Sequence, residues 1–192
     1  MRKVLSFVLV LALVLGSFSM VFGAGYSDMA GEDSSEAVDV LSSLGVVSGY
    51  PDGTFKPDRI VSRAEMAKLI VAALGLEKFA TATTSKCPDM TAAPWAQGFV
   101  AYGTSLGFIS GYPDGTFKPN NTVSYEEACS MIIRALGYTS EFLPGEWPAE
   151  WVIKAKSLGI LDGVTFGSSA GANRGDIAEM IYNALELYIS YI

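Results

Sequence analysis

Apolar residues recur at intervals of three, one, three and one in three places along the chain. They are Met66, Leu69, Ile70, Ala73 and Leu74, then Ala128, Met131, Ile132, Ala135 and Leu136, then Ile177, Met180, Ile181, Ala184 and Leu185. That spacing lines one stripe of an α-helix. Each stripe follows its own start signal: Ser62 with Glu65, Ser124 with Glu127, Asn173 with Asp176. In such a box the first side chain accepts from an orphan N–H of the first turn, and the acid three residues on reaches back. Gly75 and Gly137 then supply a left-handed stop. A weaker stripe precedes each strong one, through Ala37, Val38, Leu41 and Leu44, through Phe99, Val100, Gly103 and Leu106, and through Trp151, Val152, Ala155 and Leu158. The pattern predicts a mainly α protein built of helix–loop–helix units.

The nine residues GYPDGTFKP fill Gly49 to Pro57 and return unaltered at Gly111 to Pro119. Pro and Gly in Tyr50-Pro51-Asp52-Gly53 suit a tight turn, while Phe55 and Ile60 are available to tuck the loop's return onto the helices. The third copy is degraded: Leu158 to Gly163 repeats the upstream part, Asn173 to Leu185 repeats the downstream part, and Val164 to Ala172 between them lacks the turn. The repeats are therefore expected at 25–76, 87–138 and, divergent, 139–192. One helix stripe cannot be buried within its own unit, so three units must bury their stripes against one another. The expected result is a pseudo-threefold body around a central three-helix bundle.

The N-terminus reads as a secretory signal peptide over residues 1–24. Arg2 and Lys3 are its positive start, Val4 to Leu15 its apolar run, and cleavage is expected near Gly23 or Ala24. The alternative is an uncleaved anchor, against which the apolar run is short for a spanning helix. The chain's net charge of −7 becomes −9 once Arg2 and Lys3 leave with the leader. So acidic a surface excludes nucleic acid as a partner and makes the few arginines worth locating. Histidine is absent, which removes the commonest general base and metal ligand; no metal or cofactor is expected. Cys87 and Cys129 permit one disulfide in an exported protein, or pack as two separate thiols.

Leu-Gly, then Gly-Tyr-Pro-Asp-Gly-Thr-Phe-Lys-Pro, a spacer, then Ser-Arg-Ala-Glu opening a helix resembles the S-layer homology (SLH) domain. The resemblance runs from about Asp28 to about Leu187, as three tandem motifs. It implies a three-pronged spindle and a non-catalytic anchor. Its partner would be an acidic secondary cell wall polymer linked to peptidoglycan, often bearing a pyruvate-ketal sugar, at the cell envelope, where S-layer lattice partners are also expected. The alternative is the wall-targeting part of a truncated envelope enzyme such as a glycan hydrolase; the acids that stand out here, however, are helix caps.

The family's arginine, at the groove between prongs, corresponds to Arg63 within Ser62 to Glu65 and to Arg174 within Asn173 to Asp176. A cation in a helix's first turn works against the helix dipole, and two such departures at matching positions point to function. The expected grip is bidentate guanidinium on carboxylate, with free backbone donors of the same helix start adding to it. Tyr125 stands where the second arginine would be, followed by Glu126 and Glu127, so that groove is expected to repel a carboxylate and be weak or empty unless a cation arrives from a neighbouring prong. Trp95 and Trp147 either offer a sugar-stacking face or pack as core. Lys56 and Lys118 are secondary cations or solvated surface. Arg174-Gly175-Asp176 spells an adhesion tripeptide, but the repeat accounts for all three positions. Asp52 and Asp58 lack the alternating acids of a calcium loop and read as turn residues.

Overall fold

Each strong stripe becomes a helix because its start is chemically closed. In the computed structural model, which describes residues 25–143, 145–165 and 171–189, the helices are α1 Ser35–Ser43, α2 Arg63–Ala73, α3 Gln97–Leu106, α4 Tyr125–Ala135, α5 Ala149–Ser157 and α6 Arg174–Ile189. The leader expected over residues 1–24 lies outside the described residues. Ser62 and Ser124 accept from the N–H of Glu65 and Glu127 at 3.2 Å. Those two acids return the bond to the serine N–H at 2.8 and 3.1 Å. At α6, Asn173 Oδ1 accepts from the Asp176 N–H at 2.7 Å. Gly75 and Gly137 end α2 and α4 at φ +68° and +93°, in the left-handed region where a side chain would be strained. No strand occurs among the described residues, and none of their helices is long and apolar enough to cross a membrane.

The strongest helix packing joins α2 to α3, α4 to α5, and α6 back to α1. Each capped helix thus leans on the first helix of the next stretch, and the last leans on the first. Helices α2, α4 and α6 also touch one another. Their ends enclose an apolar pit lined by Ile70, Ile132 and Ile181 with the alanines and leucines that follow each. These are the stripe positions read from the sequence. Just before the capped helices, three backbone bonds run in a ring: Val61 N–H donates to Ala172 O at 2.9 Å, Ala172 N–H to Val123 O at 2.8 Å, and Val123 N–H to Val61 O at 2.9 Å.

The duplicated loop is fixed by internal work at nearly every residue. Tyr50 and Tyr112 N–H donate to Thr54 and Thr116 O at 2.8 Å, and Asp52 and Asp114 accept from the threonine hydroxyls at 2.6 Å. A Cβ on Gly49 or Gly111 would stand 2.7 Å from the Thr54 or Thr116 carbonyl. Phe55 and Phe117 are buried. Lys56 and Lys118 take φ of +58° and +57°, a conformation rare outside glycine. Asp28 and Asp89 hold it by accepting from the N–H groups of Phe55 and Lys56, and of Phe117 and Lys118.

Cys87 and Cys129 are both free thiols, so the possible disulfide is not formed. Cys129 is wholly buried on α4, where burial, aided by Glu126, pushes its thiol up to about 12. Trp95 and Trp147, for which core packing was one expectation, are 54% and 57% exposed; Trp151, one turn into α5, fills the core instead.

Candidate functional site: the seams between stretches

Three seams follow from the cyclic packing, and the first residue of each capped helix enters one of them. Arg63 crosses into the second stretch. Its Nε donates to Phe117 O at 2.8 Å, its Nη2 to Ser110 O at 3.2 Å, and its Nη1 lies 2.8 Å from Glu127 Oε1. The guanidinium sits over the rings of Tyr112 and Phe117 at 4.5 and 4.7 Å. The residue is only 4% exposed.

Arg174 crosses from the third stretch into the first and repeats two of those bonds, with Nε to Phe55 O at 2.9 Å and Nη2 to Ser48 O at 3.0 Å. It also lies over the Phe55 and Tyr50 rings, at 4.3 and 5.3 Å. The third contact differs. Glu65, the counterpart of Glu127, pairs at 2.8 Å with Arg59 instead. Among the described residues no carboxylate or carbonyl pairs with Nη1 of Arg174. Burial lowers Arg174 from its ordinary range, with Tyr50 opposing the shift and Arg59 adding to it.

Tyr125 crosses from the second stretch into the third, where its hydroxyl donates to the Asp176 carboxylate. Asp176 also accepts from Asn173 Nδ2 at 3.0 Å. Among the described residues, the cleft there is lined by Glu32, Asp33, Asp58 and Asp176 without a lysine or arginine. A carboxylate ligand would meet repulsion on that surface.

One expectation changes on this geometry, and the exception allowed for the second groove, a cation from a neighbouring prong, is met at Glu127. The backbone donors at the helix starts are not free. Arg63 and Ala64 N–H donate to Asn121 and Pro119 O at 2.9 and 3.0 Å, and Arg174 and Gly175 N–H donate to Arg59 and Pro57 O at 2.9 Å. These neighbouring carbonyls explain how a cation is tolerated at a helix start, since they supply negative dipole where the helix supplies positive. Tyr125 and Glu127 also do not share a groove. The first faces Asp176 and the second faces Arg63, so the acid expected to repel a ligand is already neutralised by a cation from the preceding stretch.

The remaining candidates are positioned as follows. Ser62 and Glu65 cap α2, and Glu65 lines the Arg174 seam. Burial raises the Glu65 carboxyl, but Arg59 and the Ser62 bonds outweigh it and hold the group below its usual value. Lys56 and Lys118 Nζ stand 4.1 and 4.2 Å over the rings of Tyr50 and Tyr112 and pair with Asp52 and Asp114. Arg59 was not among the residues singled out from the sequence. The signal for it was present: Asp58-Arg59-Ile60 stands where the second copy has Asn120-Asn121-Thr122, a three-residue break between matched stretches.

Residues 25–67 and 88–129 match the family model described as the S-layer homology domain. A middle cell wall protein of Brevibacillus brevis is 38% identical over 194 residues, covering 97% of this chain and 18% of the relative. A surface layer protein of Brevibacillus choshinensis is 35% identical over 192 residues, covering 97% of this chain and 17% of the relative. Cell surface glycoprotein 1 of Acetivibrio thermocellus is 41% identical over 129 residues, which is 62% of this chain and 6% of that protein. The chain spans less than a fifth of the length of these curated relatives.

Proposed function

We propose that the chain, whose residues 25–67 and 88–129 match the S-layer homology domain, is a non-catalytic wall-anchoring module of the cell envelope that clasps an acidic carbohydrate cap at the Arg174 seam. Residues 139–192 are read as a divergent third motif, and the whole as a three-pronged spindle. The observation that carries the reading is the unequal pairing of two equivalent arginines. In the Arg63 seam a protein carboxylate, Glu127, fills the third guanidinium contact. In the Arg174 seam that contact has no carboxylate among the described residues, and a ligand carboxylate placed there would make the charge-assisted bond that Glu127 makes in its sibling. A pyruvate-ketal sugar at the end of a peptidoglycan-linked polymer has the required chemistry, an anionic group on a ring.

In this reading Arg63 is a structural clasp and Arg174 the ligand residue. The seam between Tyr125 and Asp176 stays unoccupied because its acids repel the ligand. Sedimentation with peptidoglycan sacculi tests the proposal. The protein is expected to pellet with sacculi that carry pyruvylated polymer and to remain in solution with acid-stripped sacculi. Equal pelleting with both would refute it, as would unchanged pelleting of the Arg174→Ala variant.

A further inference from the structure

We infer that Arg59 is the positioning residue that keeps the Arg174 seam open, by holding Glu65 away from the guanidinium that Glu65 would otherwise neutralise. The inference rests on the ligand role just proposed for Arg174.

The two seams form an internal comparison. Their arginines are held alike: Nε on the carbonyl of a buried phenylalanine, Nη2 on a serine carbonyl, ring faces alongside. Their capping acids also start alike, since Glu65 and Glu127 each commit Oε2 to the N-cap N–H of their own helix. What differs is the destination of Oε1. Glu127 Oε1 meets Arg63 at 2.8 Å and accepts from the Tyr112 hydroxyl at 2.6 Å. Glu65 Oε1 meets Arg59 at 2.8 Å.

The second stretch has Asn121 where the first has Arg59, and an asparagine carries no charge to compete for the acid. The backbone is the same at both places. Asn121 O accepts from the Arg63 N–H and Arg59 O accepts from the Arg174 N–H, each at 2.9 Å. Of the three positions at which the matched loops differ, Asp58, Arg59 and Ile60 against Asn120, Asn121 and Thr122, Arg59 is the one whose side chain pairs with the capping acid, and it accompanies the difference between a self-neutralised seam and an open one. With Arg59 and Glu65 paired, Arg174 leaves one net positive charge at that seam, which favours an anion from solution in a protein of negative net charge.

The experiment uses the full chain and a synthetic pyruvate-ketal methyl glycoside as probe, with binding followed by calorimetry at neutral pH. Arg59→Asn copies the residue already accommodated by the matching backbone, and is expected to weaken binding at least about tenfold as Glu65 turns to Arg174. The double variant Arg59→Asn with Glu65→Gln removes the competing charge while retaining an N-terminal capping side chain. It is expected to recover affinity to within about threefold of the parent, because the recovered contact is the same charge-assisted pair. Arg59→Lys, which can still hold Glu65, is expected to bind like the parent, and circular dichroism is expected to show all three variants folded. Parent-like binding by Arg59→Asn, together with lost binding by Arg174→Ala, would overturn the role of Arg59 and leave the site standing. Failure of the double variant to recover would overturn it too, by showing that Arg59 touches the ligand itself. Undiminished binding by Arg174→Ala would remove the site and this inference together.

Discussion

Nη1 of Arg63 and Oε1 of Glu127, contributed by neighbouring stretches, lie 2.8 Å apart with their side chains 5% and 14% exposed. Truncating one partner of so buried a pair strands the other. Arg63→Ala would also leave the carbonyls of Phe117 and Ser110 without their donors. The expected loss of stability is about 3 kcal/mol. Arg174→Ala, at a half-buried site with no carboxylate partner among the described residues, is expected to cost about 1–2 kcal/mol because water can reach what it leaves behind. Urea denaturation of the two variants checks the order. A retention assay on a variant carrying both Arg63→Ala and Arg174→Ala would therefore confuse unfolding with lost recognition, and Arg174→Ala alone is the cleaner probe.

Acid should weaken the fold through its loop carboxylates. Thr54, Lys56 and burial act on Asp52, with a net fall to about 2. Asp28 and Asp89 are raised by burial but lowered further by the backbone donors of Phe55, Lys56, Phe117 and Lys118. Thr116, with a smaller contribution from Lys118, lowers Asp114. Carboxyls held below their unfolded value bind fewer protons in the native state. Their contribution is fully present above the unfolded value, about pH 3.9, and drains away as pH falls towards 2. Thermal midpoints measured between pH 5 and 2 are expected to fall over that window, and the Asp28→Asn variant to show a shallower fall.

Glu179 should behave in the opposite sense. Burial, then Glu36, Asp33, Glu186 and Asp176, raises its carboxyl, and its buried Oε2 has no hydrogen-bond partner among the described residues. A carboxyl raised in the native state weakens the fold once pH climbs past its unfolded value. Glu179→Gln is therefore expected to raise the melting temperature at pH 7, with the difference from the parent closing below about pH 4. A variant less stable than the parent at pH 7 would contradict this.

The three tryptophans should divide two against one. Trp151→Ala empties a core position and is expected to cost about 3–5 kcal/mol. Trp95→Ala and Trp147→Ala, both at exposed sites, should stay within about 0.5 kcal/mol of the parent. Fluorescence quenching by acrylamide gives a second check: two emitters accessible, one protected.

Helix starts, stops and stripes are legible in the sequence because each is closed by residues within one turn, as Ser62 with Glu65 and Gly75 with Ala72 illustrate. The loop is legible for the same reason, since Asp52 and Thr54 bond two residues apart. What sequence could not show was the sharing of one motif between two seams. Arg63 turns towards the second stretch, while Glu65, two residues on, pairs with Arg59 of its own stretch at the seam that Arg174 enters from the third. Successive positions at a helix start point in different directions, and which neighbour each meets depends on the docking of whole helices. The same limit applied to Trp95 and Trp147: proximity to a helix start says nothing about which side of it is covered, and the buried place went to Trp151.

The closed circuit of amide bonds through Val61, Ala172 and Val123 bears on how such a molecule can change size. An open-ended array can shed a terminal unit and lose a single interface. Here excision of any one motif would uncover both of its neighbours at once and leave the remaining pair unable to meet around the gap. Growth or shrinkage in single steps is thus closed to this architecture, and melting is expected as one event in which no part outlasts the others.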